Sequence, residues 1–419
     1  FDLILRHVPP PSRDLDKPFS MLATTLEADP YLGRILTGRI ATGVLKLNQA
    51  IKGINQDGLV EQFRASKILS FRGIERVPVE QAEAGDVICL AGMTKVTVAD
   101  TICATEVDEP LKAQPIDPPT LAMIFSVNDS PLAGTEGDKV TSRVIGARLF
   151  REAESNVAIR ITEQDSRDAF EVAGRGELQL GVLIETMRRE GFELSVSRPR
   201  VLFKTENGKR MEPIEEVFVD VDDEFSGAVV EKMTLRKAEL TGMRPTGGGK
   251  TRITFLAPSR GLIGYHGEFL TDTRGTGLMN RVFHGYAEYK GPIEGRRNGV
   301  LISNASGESV AYALWNLEDR GPMFIGAQVK VYEGMIIGEH SRGNDLEVNP
   351  LKAKQLTNIR ASGKDEAVRL TTPRKMSLEQ AIAYIQDDEL VEVTPKSIRL
   401  RKRLRDPNER KKAQRAAEE

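Results

Sequence analysis

From Thr120 the chain reads strand, helix, strand, strand, helix, strand, and after Arg200 the same grammar returns, with three strands and two helices, without obvious sequence identity. TLAMIFSVN (Thr120 to Asn128) is a short apolar run of strand length. KVTSRVIGARLFREAES carries Val140, Val144, Ile145 and Ala147 at helical spacing. VAIRITE and AFEVAGR follow as strands. GELQLGVLIETMRREG predicts a helix turning Leu178, Val182, Leu183 and Met187 inward, and FELSVSRP closes the unit. In the second round EPIEEVFVDVD, KTRITFLAP and TGLMNRVFHGYAEY are strands, with helices over EFSGAVVEKMTLRKAEL and RGLIGYHGEFLTDT. This order is the ferredoxin-like split βαβ arrangement, so two such units are expected, at 117–199 and 200–289.

Before and after these units the pattern changes. Residues 1–11 read as a short helix stopped by Pro9, Pro10 and Pro11. Over 12–116, strands of four to eight residues alternate with Gly, Asn and Asp turns, which predicts a small closed β-barrel. A proline-rich join, EPLKAQPIDPP (Glu109 to Pro119), marks its end. Residues 290–419 form a mixed C-terminal block of strands around short helices, ending in a basic tail. The fold class expected is therefore multidomain α+β. A length of 419 residues is too great for one core, and 40% hydrophobic with 29% charged residues describes a soluble globular chain. No apolar run is long enough to span a membrane.

Catalytic chemistry finds little footing. Thr246 to Thr251 reads TGGGKT, but a Walker A loop needs glycine where Arg244 stands, and a strand rather than a helix follows. A hairpin turn is expected there. The acids Glu215, Glu216, Asp220, Asp222, Asp223 and Glu224 alternate with Val217, Val219 and Val221, as on one face of a strand. Cys89, Cys103 and the four histidines have no metal-ligand spacing, so neither catalytic residue, metal nor cofactor is assigned. GRGEL (Gly174 to Leu178) is a tight strand-to-helix turn. Tyr286, Tyr289 and Trp315 read as core or edge packing rather than stacking platforms.

Val348 to Lys364, VNPLKAKQLTNIRASGK, is the most distinctive local stretch. It holds Lys352, Lys354, Arg360 and Lys364 with no acid, in a chain of net charge -2. Gln355 and Asn358 add amides. On composition alone a solvated loop with ordinary lysines is the simpler reading. RNA contact is the other, since cations meet phosphates while amides read edges and sugars. In the tail, Arg399, Arg401, Lys402 and Arg403 either touch RNA or lie on a solvated helix.

Longer motifs carry a family likeness. AGRGELQLGVLIETMRREGFELSVSRPRV (Ala173 to Val201), PSRGLIGYHGEFLTDTRGTG (Pro258 to Gly277) and AEAGDVICLAG (Ala82 to Gly92) resemble the third, fifth and second domains of elongation-factor-G-like translational GTPases. RRNGVLISN, LEDRGPMFIG, VYEGMIIGEHSRGNDL, LTNIRASGKDEAV and DDELVEVTPKSIRLRKR resemble the BipA/TypA family within them. The resemblance implies an absent N-terminal GTPase domain holding GTP and Mg, with residues 1–8 the end of its last helix. On that basis this chain as given is expected not to be an enzyme. It further implies a cytoplasmic monomer that docks in the ribosomal factor site, on 70S or 50S particles, and serves large-subunit assembly and growth under stress or cold. The family's C-terminal loop matches Arg342 to Lys364 and contacts rRNA and the acceptor end of an A-site tRNA. Arg342, Asn344, Lys352, Lys354, Gln355, Asn358, Arg360 and Lys364 are the RNA-binding candidates carried over. Neither membrane nor DNA is an expected partner. The rival reading is a stand-alone RNA-binding or ribosome-assembly module.

Overall fold

The computed structural model describes residues 1–9, 13–29, 31–114, 116–166, 168–353 and 369–418. They divide into two compact units, one of Phe1–Pro118 with Ala147–Arg160, the other of Pro119–Gly146 with Ile161–Glu419. Among the described residues no helix is long and apolar enough to cross a membrane.

In the first unit the helix Asp2–His7 buries none of its residues. The short strands behind it pair in the order Gly58–Arg64, Ala50–Asn55, Thr101–Ala104, Ser20–Asp29, Gly33–Thr42, Val87–Ala91, Lys67–Arg72, Glu75–Pro78. Met21, Leu36, Ile40, Ile51, Ile68, Ile88, Leu90 and Ile102 fill one core. The expected closed barrel is recorded instead as a path with two ends, and no pairing among the described residues joins them. The end strands explain this. Gly58–Arg64 carries polar, largely exposed positions, and Glu75–Pro78 is exposed throughout and ends in a proline, which has no N–H to donate.

The second unit contains the strands of both repeats, apart from Arg160, while most of the first repeat's helix Ser142–Ser155 is grouped with the first unit. In the first, the strands order as Arg160–Glu163, Ala169–Gly174, Leu121–Val127, Leu194–Ser197. In the second they order as Glu239–Gly247, Lys250–Pro258, Lys209–Asp222, Leu278–Glu288, the same path through the chain order. Val217, Val219, Val221, Ile253 and Phe255 face the helices Ser226–Leu235 and Tyr265–Asp272 through Val229, Met233, Tyr265 and Phe269. The helix Glu177–Arg189 corrects part of the sequence reading. Leu180, Leu183, Ile184 and Met187 are its buried stripe, whereas Leu178 is 64% and Val182 58% exposed. At about 100° per residue, positions two before or after Leu180 fall on the far side of the helix.

The C-terminal block does not stand apart as a sheet of its own. Glu389–Val393 pairs antiparallel with Leu194–Ser197, Ile398–Lys402 pairs with it in turn, and Met335–Glu339, Val300–Ser303 and Leu346–Val348 continue the sheet. Leu346–Val348 runs parallel to Val300–Ser303, so the segment after Arg342 opens with a strand.

Candidate nucleic-acid interface

The helix Ala311–Glu318 is the fixed point of the cationic segment. It forms because Leu314 packs with Leu301, Met323, Tyr332 and Ile337 and Ala313 is buried beside it, behind an extended Val310 at its N-cap. Where the segment enters, Asn304 N donates to Val348 O at 3.0 Å and Val310 N to Pro350 O at 3.0 Å. Asn349 Oδ1 accepts from Leu351 N at 2.8 Å, a local turn that leaves Leu351 packed on the core. Where the chain returns, Thr371 N donates to the Glu318 carboxylate at 2.7 Å, and Arg374 N to Met323 O at 2.8 Å. Entry and return are thus tied to opposite ends of one helix.

Among the RNA candidates, Arg342 and Asn344 lie on an exposed turn whose backbone is held from below. Gly299 N donates to Arg342 O at 2.7 Å, and His340 Nδ1 donates to Asn344 O at 2.5 Å. A Cβ at Gly299 would sit 2.1 Å from Asn344 O, so only glycine permits this approach. The Arg342 side chain is exposed; the Asn344 amide donates to Asp345 O at 3.2 Å. Lys352 is exposed immediately beyond the anchored turn. Lys354, Gln355, Asn358, Arg360 and Lys364 lie outside the described residues.

The tail candidates point elsewhere. Arg401 and Lys402 are 1% exposed. Arg401 pairs with Asp129 and donates to Ser195 Oγ at 3.3 Å. Lys402 Nζ meets Asp345 at 2.6 Å, Asp388 at 2.7 Å and Glu389 at 3.0 Å. Arg399 pairs with Glu136 and, at 3.0 Å, with Glu392. These charges are committed inward, because the strand Ile398–Lys402 is covered on both sides. Arg403 is exposed and donates to Asp387 O at 2.8 Å. The helix Pro407–Glu418 carries the remaining basic residues.

Around Lys402 the electrostatics follow from this packing. Burial works to raise the Glu389 carboxyl, but the Arg296 guanidinium (2.9 Å) and the Lys402 ammonium hold it below the usual carboxylate range. Burial works to lower Lys402, yet Glu389, Asp345 and Asp388 together raise it. Glu392, fully buried, accepts from Ser130 Oγ at 2.9 Å, Asn128 Nδ2 at 3.1 Å and the Tyr332 hydroxyl. Sequence reading missed this network. ELVEV alternates like a half-exposed strand, and only its long-range partners reveal both faces as covered.

Trp315 is 49% exposed and meets the Tyr312 ring at 6.3 Å, so of core and edge packing only the edge remains for it. Tyr289 keeps to its reading as packing, with Arg260 over its ring at 4.5 Å and Phe203 edge-on at 5.9 Å. The TGGGKT turn joins Glu239–Gly247 to Lys250–Pro258 as a hairpin, with Gly247, Gly248 and Gly249 all at positive φ. Lys250 enters a strand ladder opposite Asp222 and no helix follows, so the turn does not fit a nucleotide phosphate. No group of three or more His, Cys, Asp or Glu suited to a metal occurs among the described residues.

Comparison with known proteins matches three family models. These are the Elongation factor Tu domain 2 at residues 33–103, the Elongation factor G C-terminus at 209–297 and the TypA/BipA C-terminal domain at 298–407. The Large ribosomal subunit assembly factor BipA of Haemophilus influenzae is 50% identical over 99% of this chain and 68% of its own length. Its namesakes in Escherichia coli K12 and Bacillus subtilis are 49% and 45% identical over 99% of the chain, which covers 69% and 68% of them. These matches overturn the expectation that the chain is not an enzyme: 99% of it aligns within a family of translational GTPases, and family membership, not the glycine turn, carries that chemistry. The chain belongs to the BipA/TypA family of elongation-factor-like translational GTPases.

Proposed function

We propose that this chain acts in assembly of the large ribosomal subunit, docking in the factor site and gripping RNA through the segment that runs from Arg342 to Lys364. One observation carries the reading most: the described residues that flank 354–368 are held at the two ends of Ala311–Glu318, with Lys352 exposed just past the first anchor. Cations held on a fixed base can neutralise phosphates without the chain being basic overall. The names of its relatives, large-subunit assembly factors, support the same partner. In this reading Arg342, Asn344 and Lys352, together with Lys354, Gln355, Asn358, Arg360 and Lys364, face rRNA and the acceptor end of an A-site tRNA. The protein works in the cytoplasm as a monomer, these residues hold no cofactor of their own while the family likeness puts GTP with Mg in the GTPase domain of the whole protein, and growth under stress or cold is where its loss is felt.

Co-sedimentation with 50S and 70S particles across a salt series tests this. The parent is compared with a variant carrying Lys352→Glu, Lys354→Glu, Arg360→Glu and Lys364→Glu. Loss of four phosphate contacts lowers the salt slope by roughly 3 and abolishes pelleting at moderate salt. Equal pelleting of parent and variant removes the segment from the interface.

A further inference from the structure

We infer that Trp315, backed by Tyr312, is a ledge on which one unpaired RNA base stacks. The inference rests on the RNA-contact reading above and adds to it a residue that sequence reading had assigned to core or edge packing. Trp315 lies in the middle of Ala311–Glu318, with its ring 6.3 Å from that of half-buried Tyr312 and inclined to it by 39°. Tyr312 supports the indole from behind while 49% of Trp315 remains open.

Three observations favour a nucleobase over a protein partner. First, between Val282 and Leu404 Trp315 is the one large hydrophobic side chain exposed among the described residues. A protein-docking surface needs a contiguous apolar patch, whereas a base needs a single ring. Second, cations bracket the helix. Lys352 is two residues past Pro350, whose carbonyl takes the Val310 N–H, and Arg369 is two residues before Thr371, which binds Glu318. Both are exposed, one near each end of a helix about 12 Å long. Third, the acid closest to the ring along the helix, Glu318, is occupied by the N–H and the hydroxyl of Thr371. A base on the indole with flanking phosphates toward Lys352 and Arg369 uses all of these groups at once.

Trp315 is the only tryptophan of the chain, so its fluorescence reports the ledge directly. The whole chain is titrated with hexaadenylate, with an abasic ribose-phosphate hexamer and with an RNA duplex, while a labelled hexaadenylate gives affinity by anisotropy. Hexaadenylate is expected to quench the indole, and the abasic hexamer and the duplex are not. Trp315→Leu is expected to weaken hexaadenylate about tenfold, and Trp315→Phe, which keeps a ring, distinctly less. Absence of binding, binding without quenching, equal quenching by the abasic hexamer, or equal affinity of Trp315→Leu each overturns the ledge. Salt-dependent pelleting of Trp315→Leu with 50S subunits reports separately on the loop reading. That reading survives if the ledge alone fails, and falls only if the four-cation variant pellets like the parent.

Discussion

The two repeats of the second unit follow the same strand path and part company at one edge. In the first, the edge strand Leu194–Ser197 is buried at every residue, because Glu389–Val393 pairs along it. In the second, the edge strand Leu278–Glu288 alternates between exposed and half-buried, with Leu278 62% and Val282 55% exposed. Local sequence explains why one edge accepts a partner. Leu194–Ser197 presents serines whose hydroxyls are used, Ser197 accepting from Ile124 N at 2.9 Å and Ser195 from Arg401. Leu278–Glu288 carries Arg281 and His284, and Arg281 reaches Glu215 and Glu177, each at 3.7 Å. A covered edge needs its polar groups answered from across the seam; an open edge keeps charge that discourages pairing.

The strongest way to break the contrast is at the carboxylate that holds the seam. Glu392→Ala leaves Arg399, Asn128 and Ser130 short of their buried acceptor. It is expected to cost about 3–5 kcal/mol in urea denaturation, against a Glu392→Gln variant that keeps part of the network. Val391, fully buried and opposite Val196, sits at the seam's centre. Val391→Ala should cost about 1–3 kcal/mol by the same measurement.

Acid offers a gentler probe. Glu389 and Glu136 are held below their ordinary value of 4.5, so their contribution is complete above that pH and drains away as pH falls through the lower folded values. Lys402 is raised above 10.5, so its contribution is complete below that pH and is lost as pH climbs through the higher folded value. Denaturation midpoints across pH should therefore form a plateau with an acid and an alkaline shoulder, and Lys402→Met should shrink the alkaline one, to which the raised Cys103 and Tyr265 also contribute. Smallest of all, Val282→Ala on the open edge should change stability by no more than about 0.5 kcal/mol. A cost there equal to that of Val391→Ala would mean that the edge is covered in solution.

Much of the strand and helix order was legible because periods of two and 3.6 are written locally, as in Val217, Val219, Val221 or the pair Leu183 and Met187. The phase of the Glu177–Arg189 helix was misread where apolar residues occur on both sides: Leu178 and Val182 look like core until Leu180 fixes the stripe. The seam was invisible because Ser195 and Glu392 carry no periodic signal of their own; their burial is decided by partners far along the chain. The cations of the candidate interface were proposed on their lack of neighbouring acids. The same rule failed at Arg401 and Lys402, whose acids, Asp129, Asp345, Asp388 and Glu389, come from elsewhere in the sequence. Trp315 was legible only as core or edge for a related reason: an apolar neighbourhood in sequence, Ala313 and Leu314, faces the opposite way in space.

The pairing of Leu194–Ser197 with Glu389–Val393 also sets a clock. During synthesis the first strand emerges roughly 200 residues before its partner, an interval of roughly 10–40 s at ordinary elongation rates. Throughout that time a nascent chain displays an unfilled template for strand addition, with Ser195 within it still waiting for Arg401. A protein built this way has its most vulnerable moment before it leaves the machine that makes it, and the strand that ends the exposure is made long after the edge it covers.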